Sequence, residues 1–250
     1  MQSMWIYWLL VLFLGKSKGL ADVKEQTYLQ SFAQELDFQN PYTQCPIDPG
    51  AHGIYTIQVG NQEPFEVFCD AKIAGPGWTV IARRTNEELL FFRNWNAYKR
   101  GFGNVRGDFF IGLDKLHAIT KSQTQELYIY LEDFEGNTRF AQYDEFYIES
   151  ENDLYRMSKL GHFIGDAGDS LSYHKNQKFS TYDRDNDASA KRNCAAVFMG
   201  AWWHNDCHHS NLFGMYVNGS VDMFAVGMCW NHWRGYYYSY KVMQMMIRPK

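Results

Sequence analysis

Hydrophobic and polar residues alternate along several short runs, first as Ile54 and Thr56 before Gly60-Asn61 and then as Phe65 and Val67 after it. Successive strand side chains point to opposite faces and Gly-Asn suits a turn, so residues 54–69 read as a hairpin. The same reasoning predicts strands over 78–84, 126–133, 140–150 and 238–247, and short helices over 95–101 and 113–120. Beyond Asn176 the periodicity dissolves into stretches rich in Gly, Asn and Asp, recovering only at Tyr238. Long irregular segments inside a domain usually carry function, because a rigid scaffold supports them.

The extreme N-terminus breaks this pattern. Met4-Trp-Ile-Tyr-Trp-Leu-Leu-Val-Leu-Phe-Leu14 is an unbroken apolar run, short for a bilayer span but of the right length for a signal-peptide core. Residues 1–20 are expected to be a secretory signal, cut near Gly19 or Ala21, with an uncleaved anchor as the alternative: Met1-Gln-Ser3 has no basic side chain, and Lys16 and Lys18 occupy the expected cleavage region. Residues 21–44 are expected to be a linker, where Val23, Leu29, Phe32 and Leu36 mark one side of a helix too brief to stand alone. Neither heptads nor Gly-X-Y triplets occur there, so no oligomerising stalk is encoded and the oligomeric state stays open. No further run is long and apolar enough to cross a membrane, and stable insertion is not expected after cleavage.

Composition adds bounds. A 46% hydrophobic content with 8 Trp, 17 Tyr and 18 Phe supplies ample core. The formal charge of −4 offers no basic field for a phosphate backbone, so nucleic acid is not an expected partner.

Candidate chemistry concentrates between Asp183 and His208. Asp183, Asp185 and Asp187 place carboxylates on alternate residues, which can converge on a calcium ion or form a solvated acidic turn. An EF-hand is excluded, since its glycine and bidentate-glutamate positions fall on Ala188 and Cys194. Export permits disulfides, and Cys45, Cys69, Cys194, Cys207 and Cys229 admit two bridges and one remainder. Zinc at His204, Cys207, His208 and His209 is disfavoured because adjacent histidines lack the usual ligand spacing. With no Gly-x-Ser-x-Gly elbow, His-Glu-x-x-His or phosphate loop, the chain is not expected to be an enzyme. Asn218-Gly-Ser220 is an acceptor for N-glycosylation.

The run Thr181-Tyr-Asp-Arg-Asp-Asn-Asp187 followed by Asn193-Cys-Ala, Gly200-Ala-Trp-Trp and Cys207-His resembles the fibrinogen C-terminal domain family, which includes ficolins, tachylectins and angiopoietins. Gly77-Trp-Thr-Val-Ile-Ala-Arg-Arg84, Phe92-Arg-Asn-Trp-Asn-Ala-Tyr-Lys-Arg-Gly-Phe-Gly103, Gly112-Leu-Asp-Lys-Leu-His117, Ser210-Asn-Leu-Phe-Gly-Met-Tyr216 and Met246-Ile-Arg-Pro249 are similar to its other landmarks, in its order. The resemblance implies an α+β fold over residues 45–250, a twisted, mainly antiparallel sheet with short helices and a long irregular subdomain that binds calcium and ligand. It implies the bridges Cys45–Cys69 and Cys194–Cys207, leaving Cys229, whose neighbours Met228 and Trp230 point to a buried thiol acting as a small hydrophobe, with intermolecular pairing as the alternative. It also implies a Ca2+ site made by the Asp185 and Asp187 side chains and the carbonyls of Ser189 and Lys191. The segment from Asp187 to Cys194 is one residue longer than in mammalian fibrinogen-type members and lacks their Gly before Asn193.

Lectin-type members hold an acetyl group over backbone N–H groups at a cis peptide. By resemblance that peptide is Asp206–Cys207, followed by the pocket histidine His208 and walled by Phe198, Phe224, Ala225 and Tyr236. Phe198 and Phe224 stand where those members commonly carry Tyr. The expected function is a secreted, extracellular, calcium-dependent lectin-like protein that binds acetylated glycans in recognition of microbial or host surfaces. The alternative is a secreted angiopoietin-like ligand that engages a cell-surface receptor through the same loops. Fibrin-like capture of peptide knobs is disfavoured, because Val197, Phe198 and Ala225 replace the polar and acidic residues of peptide-binding members.

Overall fold

The computed structural model describes residues 41–250, so the expected signal and all but the last four residues of the expected linker lie outside the described residues. The main sheet has 10 strands. Along its path they run Gly53–Ile57, Phe65–Asp70, Trp78–Arg84, Val242–Pro249, Gln125–Glu132, Thr138–Tyr147 and Lys159–Leu160, each antiparallel to its neighbours. The C-terminal strand therefore sits in the middle of the sheet. Its run Met243 to Ile247 is buried without alternation, as a strand covered on both faces must be. Gln125–Glu132 alternates strictly, burying Leu127, Ile129 and Leu131.

Helix Trp95–Arg100 starts at Asn94, whose side chain accepts from the Ala97 N–H, and stops at Gly101. A Cβ on Gly101 would lie 2.5 Å from the Ile111 carbonyl oxygen, so only glycine fits there. Helix Leu113–Ser122 buries Leu113, Leu116 and Ile119 on one side.

Two expectations change in detail. The strand expected over 238–247 is two strands: Tyr238–Ser239 pairs with Gly219–Ser220, while Val242–Pro249 enters the main sheet. Buried Tyr240, donating its hydroxyl to Trp230 O at 3.2 Å, separates them. The hairpin joins Gly53–Ile57 to Phe65–Asp70 through a broader connection than two residues, with Gly60 at φ 57°.

The core continues from the sheet into the irregular half. Tyr98 packs on Phe102 and Phe110 at centroid distances of 5.1 and 5.4 Å, and on Phe179 and Phe213 at 5.2 and 5.7 Å. Fully buried Arg84 leaves the sheet to donate to the carbonyls of Leu212 and Gly214, its guanidinium lying 4.4 Å from the Phe91 ring centroid. Burial lowers its pKa to about 10, which leaves it charged at neutral pH. Cys45 bonds to Cys69, tying the start of the domain to the second strand. No helix among the described residues is long and apolar enough to cross a membrane.

Candidate functional site

The three aspartates of the acidic run divide into two roles. Asp183 Oδ1 accepts from the Trp95 N–H at 2.9 Å and from Thr181 Oγ1 at 2.7 Å, so it fastens the loop to a helix start. Asp187 accepts from Ser189 N at 2.9 Å and Cys194 N at 2.7 Å, and its own N–H donates to Asp185 Oδ1 at 3.3 Å. Partial burial, with a further contribution from neighbouring Asp185, raises the Asp187 carboxyl above its ordinary range, and no cationic side chain offsets this. The Ser189 and Lys191 carbonyls accept no hydrogen bond among the described residues. Two crowded carboxylates, followed within four residues by two carbonyls free of hydrogen bonds, supply the hard-oxygen chemistry that calcium takes, and in donor type they fit that ion. No group of three or more His, Cys, Asp or Glu side chains among the described residues is placed to hold a metal, and Cys207 is consumed in its disulfide with Cys194.

A second set of residues forms around His208. The Asp206–Cys207 peptide is cis. Phe198 stands edge-on to His208 at 4.8 Å, Phe224 lies 6.4 Å from Phe198 and 5.0 Å from Tyr236, and Tyr236 lies 6.0 Å from His208, so the four rings form a closed circuit. Buried Ala225 donates its N–H to Tyr236 O at 3.1 Å, joining two walls. Met199 and Ala225 have φ of 52° and 62°. Each follows one of the two phenylalanines and fixes the turn that presents its ring, while Leu154, Tyr155 and Asn176 adopt the same region elsewhere in the fold.

The polar groups inside this circuit are incompletely satisfied. His208 is 7% exposed; its Nε2 lies 3.5 Å from Cys229 Sγ, and its Nδ1, near the Ala225 backbone, makes no hydrogen bond of acceptable geometry. The N–H groups of Cys207 and His208 donate to no acceptor among the described residues. Burial first, then His204 and His174, hold the His208 ring well below its usual pKa and therefore neutral. Burial pushes the Cys229 thiol up to about 12, which makes it a small packed hydrophobe rather than a nucleophile. Two backbone N–H groups without an acceptor, next to a neutral imidazole and a circuit of aromatic rings, can bind a small uncharged group that pairs a carbonyl with a methyl.

Several residues that hold this floor gave no signal in the sequence. Neutral His174 donates from Nδ1 to Trp203 O at 2.7 Å and accepts at Nε2 from the N–H groups of His209 and Ser210 at 3.1 and 3.2 Å. Tyr173 donates to Asp206 O at 3.0 Å, and Asn211 donates to Phe198 O at 3.0 Å. A lone histidine or tyrosine in a polar turn has no periodicity to reveal its partner. Asn218 is exposed, as a glycan acceptor must be.

Residues 47–250 match the family profile described as fibrinogen beta and gamma chains, C-terminal globular domain. The chain belongs to the fibrinogen C-terminal domain family. Microfibril-associated glycoprotein 4 of Mus musculus is 44% identical over 232 residues, covering 91% of this chain and 88% of that protein. Among solved structures, the fibrinogen-like globe domain of human ANGPTL2 superposes with a TM-score of 0.80 at 38% identity, over 84% of this chain and 99% of that one. The lamprey fibrin D-dimer complexed with the peptide Gly-His-Arg-Pro-amide gives 0.77 at 28% identity, over 99% of this chain and 88% of that one. The family's α+β fold and both expected disulfides are present, the second with its Cα atoms 5.6 Å apart.

Proposed function

We propose that this fibrinogen-family chain is a secreted, extracellular recognition protein, glycosylated at Asn218, that binds acetylated glycans beside a calcium-braced loop and catalyses no reaction. The observation that carries the reading is the unpaired polar floor at Cys207 and His208 inside the ring of Phe198, His208, Phe224 and Tyr236. The aromatic faces and Ala225 would cover an acetyl methyl, while the Cys207 and His208 N–H groups and the His208 ring meet its oxygen. Calcium would be held by Asp185, Asp187 and the carbonyls of Ser189 and Lys191, where it supplies charge neutralisation and a cross-brace to the loop. Two disulfides agree with an oxidising compartment.

A second reading, a soluble ligand for a cell-surface receptor, is favoured by one observation. Val197, Met223, Phe224 and Tyr237 leave an apolar rim in solvent around the same site, and such rims also mark protein interfaces. A glycan array probed with and without calcium separates the two readings. Calcium-dependent signal on N-acetylated glycans is expected; a blank array with calcium-loaded, folded protein moves the assignment to the receptor ligand.

A further inference from the structure

We infer that Phe224 and Tyr237 form a second sugar subsite, a platform beside the acetyl pocket that takes the pyranose linked to the acetylated one; this rests on the glycan reading above. Tyr237 is 56% exposed and Phe224 50% exposed, with ring centroids 5.5 Å apart and planes at 64°. Phe224 belongs to both places, since it also packs on Tyr236 at 5.0 Å within the pocket wall. A glycan entering the pocket by its acetyl group must leave its neighbouring ring somewhere on this rim.

The hydroxyls of the tyrosine-rich segment single out Tyr237. Tyr236 donates to His208 O at 3.2 Å, Tyr238 donates to Glu135 at 2.6 Å and accepts from Phe134 N at 2.8 Å, and Tyr240 donates to Trp230 O at 3.2 Å. Each of these hydroxyls fastens the fold. The Tyr237 hydroxyl pairs with no protein group among the described residues, while the Tyr237 carbonyl accepts from Val221 N at 2.9 Å and fixes the backbone that presents the ring. The fold therefore holds Tyr237 in place without using its hydroxyl.

A pyranose has the matching chemistry. One ring face presents C–H groups that pack on an aromatic surface, and its edge presents hydroxyls that pair with a phenol. Two angled rings with one free hydroxyl suit a ligand of that size and amphipathic character, whereas a protein partner would engage exposed Val197 and Met223 of the same rim as well. Tyr237 lies outside the pocket wall, so it adds affinity only for ligands with a second ring.

The test uses full-length protein with calcium and ligands bearing a single acetyl group, so that valency does not enter. N-acetylglucosamine is compared with disaccharides in which galactose is attached to either end of it, on the wild type, Tyr237→Ala and Tyr237→Phe. At least one disaccharide is expected to bind the wild type about tenfold more tightly than the monosaccharide. Tyr237→Ala is expected to remove that advantage and leave monosaccharide affinity unchanged, and Tyr237→Phe to keep most of it. Equal binding of mono- and disaccharides by the wild type overturns the platform and leaves the acetyl pocket standing. Equal weakening of both ligands by Tyr237→Ala also overturns it, and failure of every ligand to bind overturns pocket and platform together.

Discussion

His174 can make its three contacts only as a neutral ring, because Nδ1 must donate to Trp203 O while Nε2 accepts from two backbone N–H groups. Burial lowers its pKa to about 3 from 6.5, and burial likewise lowers that of His204 to about 4. A histidine depressed in the folded state contributes stability that is fully present above its unfolded pKa of 6.5 and is lost as pH falls toward the folded value. At pH 5 linkage gives a loss of about 2 kcal/mol for each of these two rings. Denaturant midpoints measured at pH 7.5 and pH 5 should therefore differ, and His174→Gln, which cannot charge, should shrink the difference. A midpoint independent of pH across that interval would contradict the burial of these rings as neutral groups.

At the scale of the element, the segment from Thr181 to His208 has almost no repeating backbone structure and is held by discrete fastenings. Asn186 donates to Phe179 O at 2.8 Å, and Asn193 donates to the carbonyls of Thr181 and Tyr182 at 3.1 and 3.2 Å. Cys194–Cys207 closes a loop with a sequence separation of 13. That closure contributes about 3 kcal/mol in the chain-entropy account. The Asp185 and Asp187 carboxylates are the proposed further fastening point, where a bound divalent cation would offset their crowding. Calcium in large excess over its Kd should then stabilise the native state by about 2.7 kcal/mol at a hundredfold ratio. Thermal melts in calcium and in chelator should show this shift in the wild type and lose it in Asp185→Ala; an equal shift in both would move the site elsewhere. This segment also shows where the sequence was readable. Asp183, Asp185 and Asp187 stood out alike by type and spacing, and only the family resemblance set the last two apart as expected calcium ligands; the fastening by Asp183 depends on Trp95, 88 residues away, and cannot be read locally.

Across the whole domain, the sheet was the legible half. Gln125–Glu132 buries every second residue, so its hydrophobic alternation copied its environment. The break between Tyr238–Ser239 and Val242–Pro249 was hidden because both pieces are apolar and only their partners differ. The site is tied to this sheet at long range, chiefly by Arg84, whose bond to the Leu212 carbonyl spans 128 residues. The pocket residues were placed by family resemblance, and the geometry adds what resemblance could not: unpaired donors at Cys207 and His208, and hydroxyls of Tyr236 and Tyr238 already spent on the fold.

The central claim is that the floor beside His208 recognises an acetyl group. Ligand-observed NMR of N-acetylglucosamine against glucosamine, on calcium-loaded wild type and His208→Ala, tests it most directly. The acetylated sugar should bind the wild type weakly, on the order of millimolar, since so small a ligand must first offset its lost translational freedom. Glucosamine should show no binding, because its ammonium would enter an apolar ring with no carboxylate to meet it, and His208→Ala should lose the acetylated sugar as well. Equal signals from the two sugars, or none from either, would contradict the account.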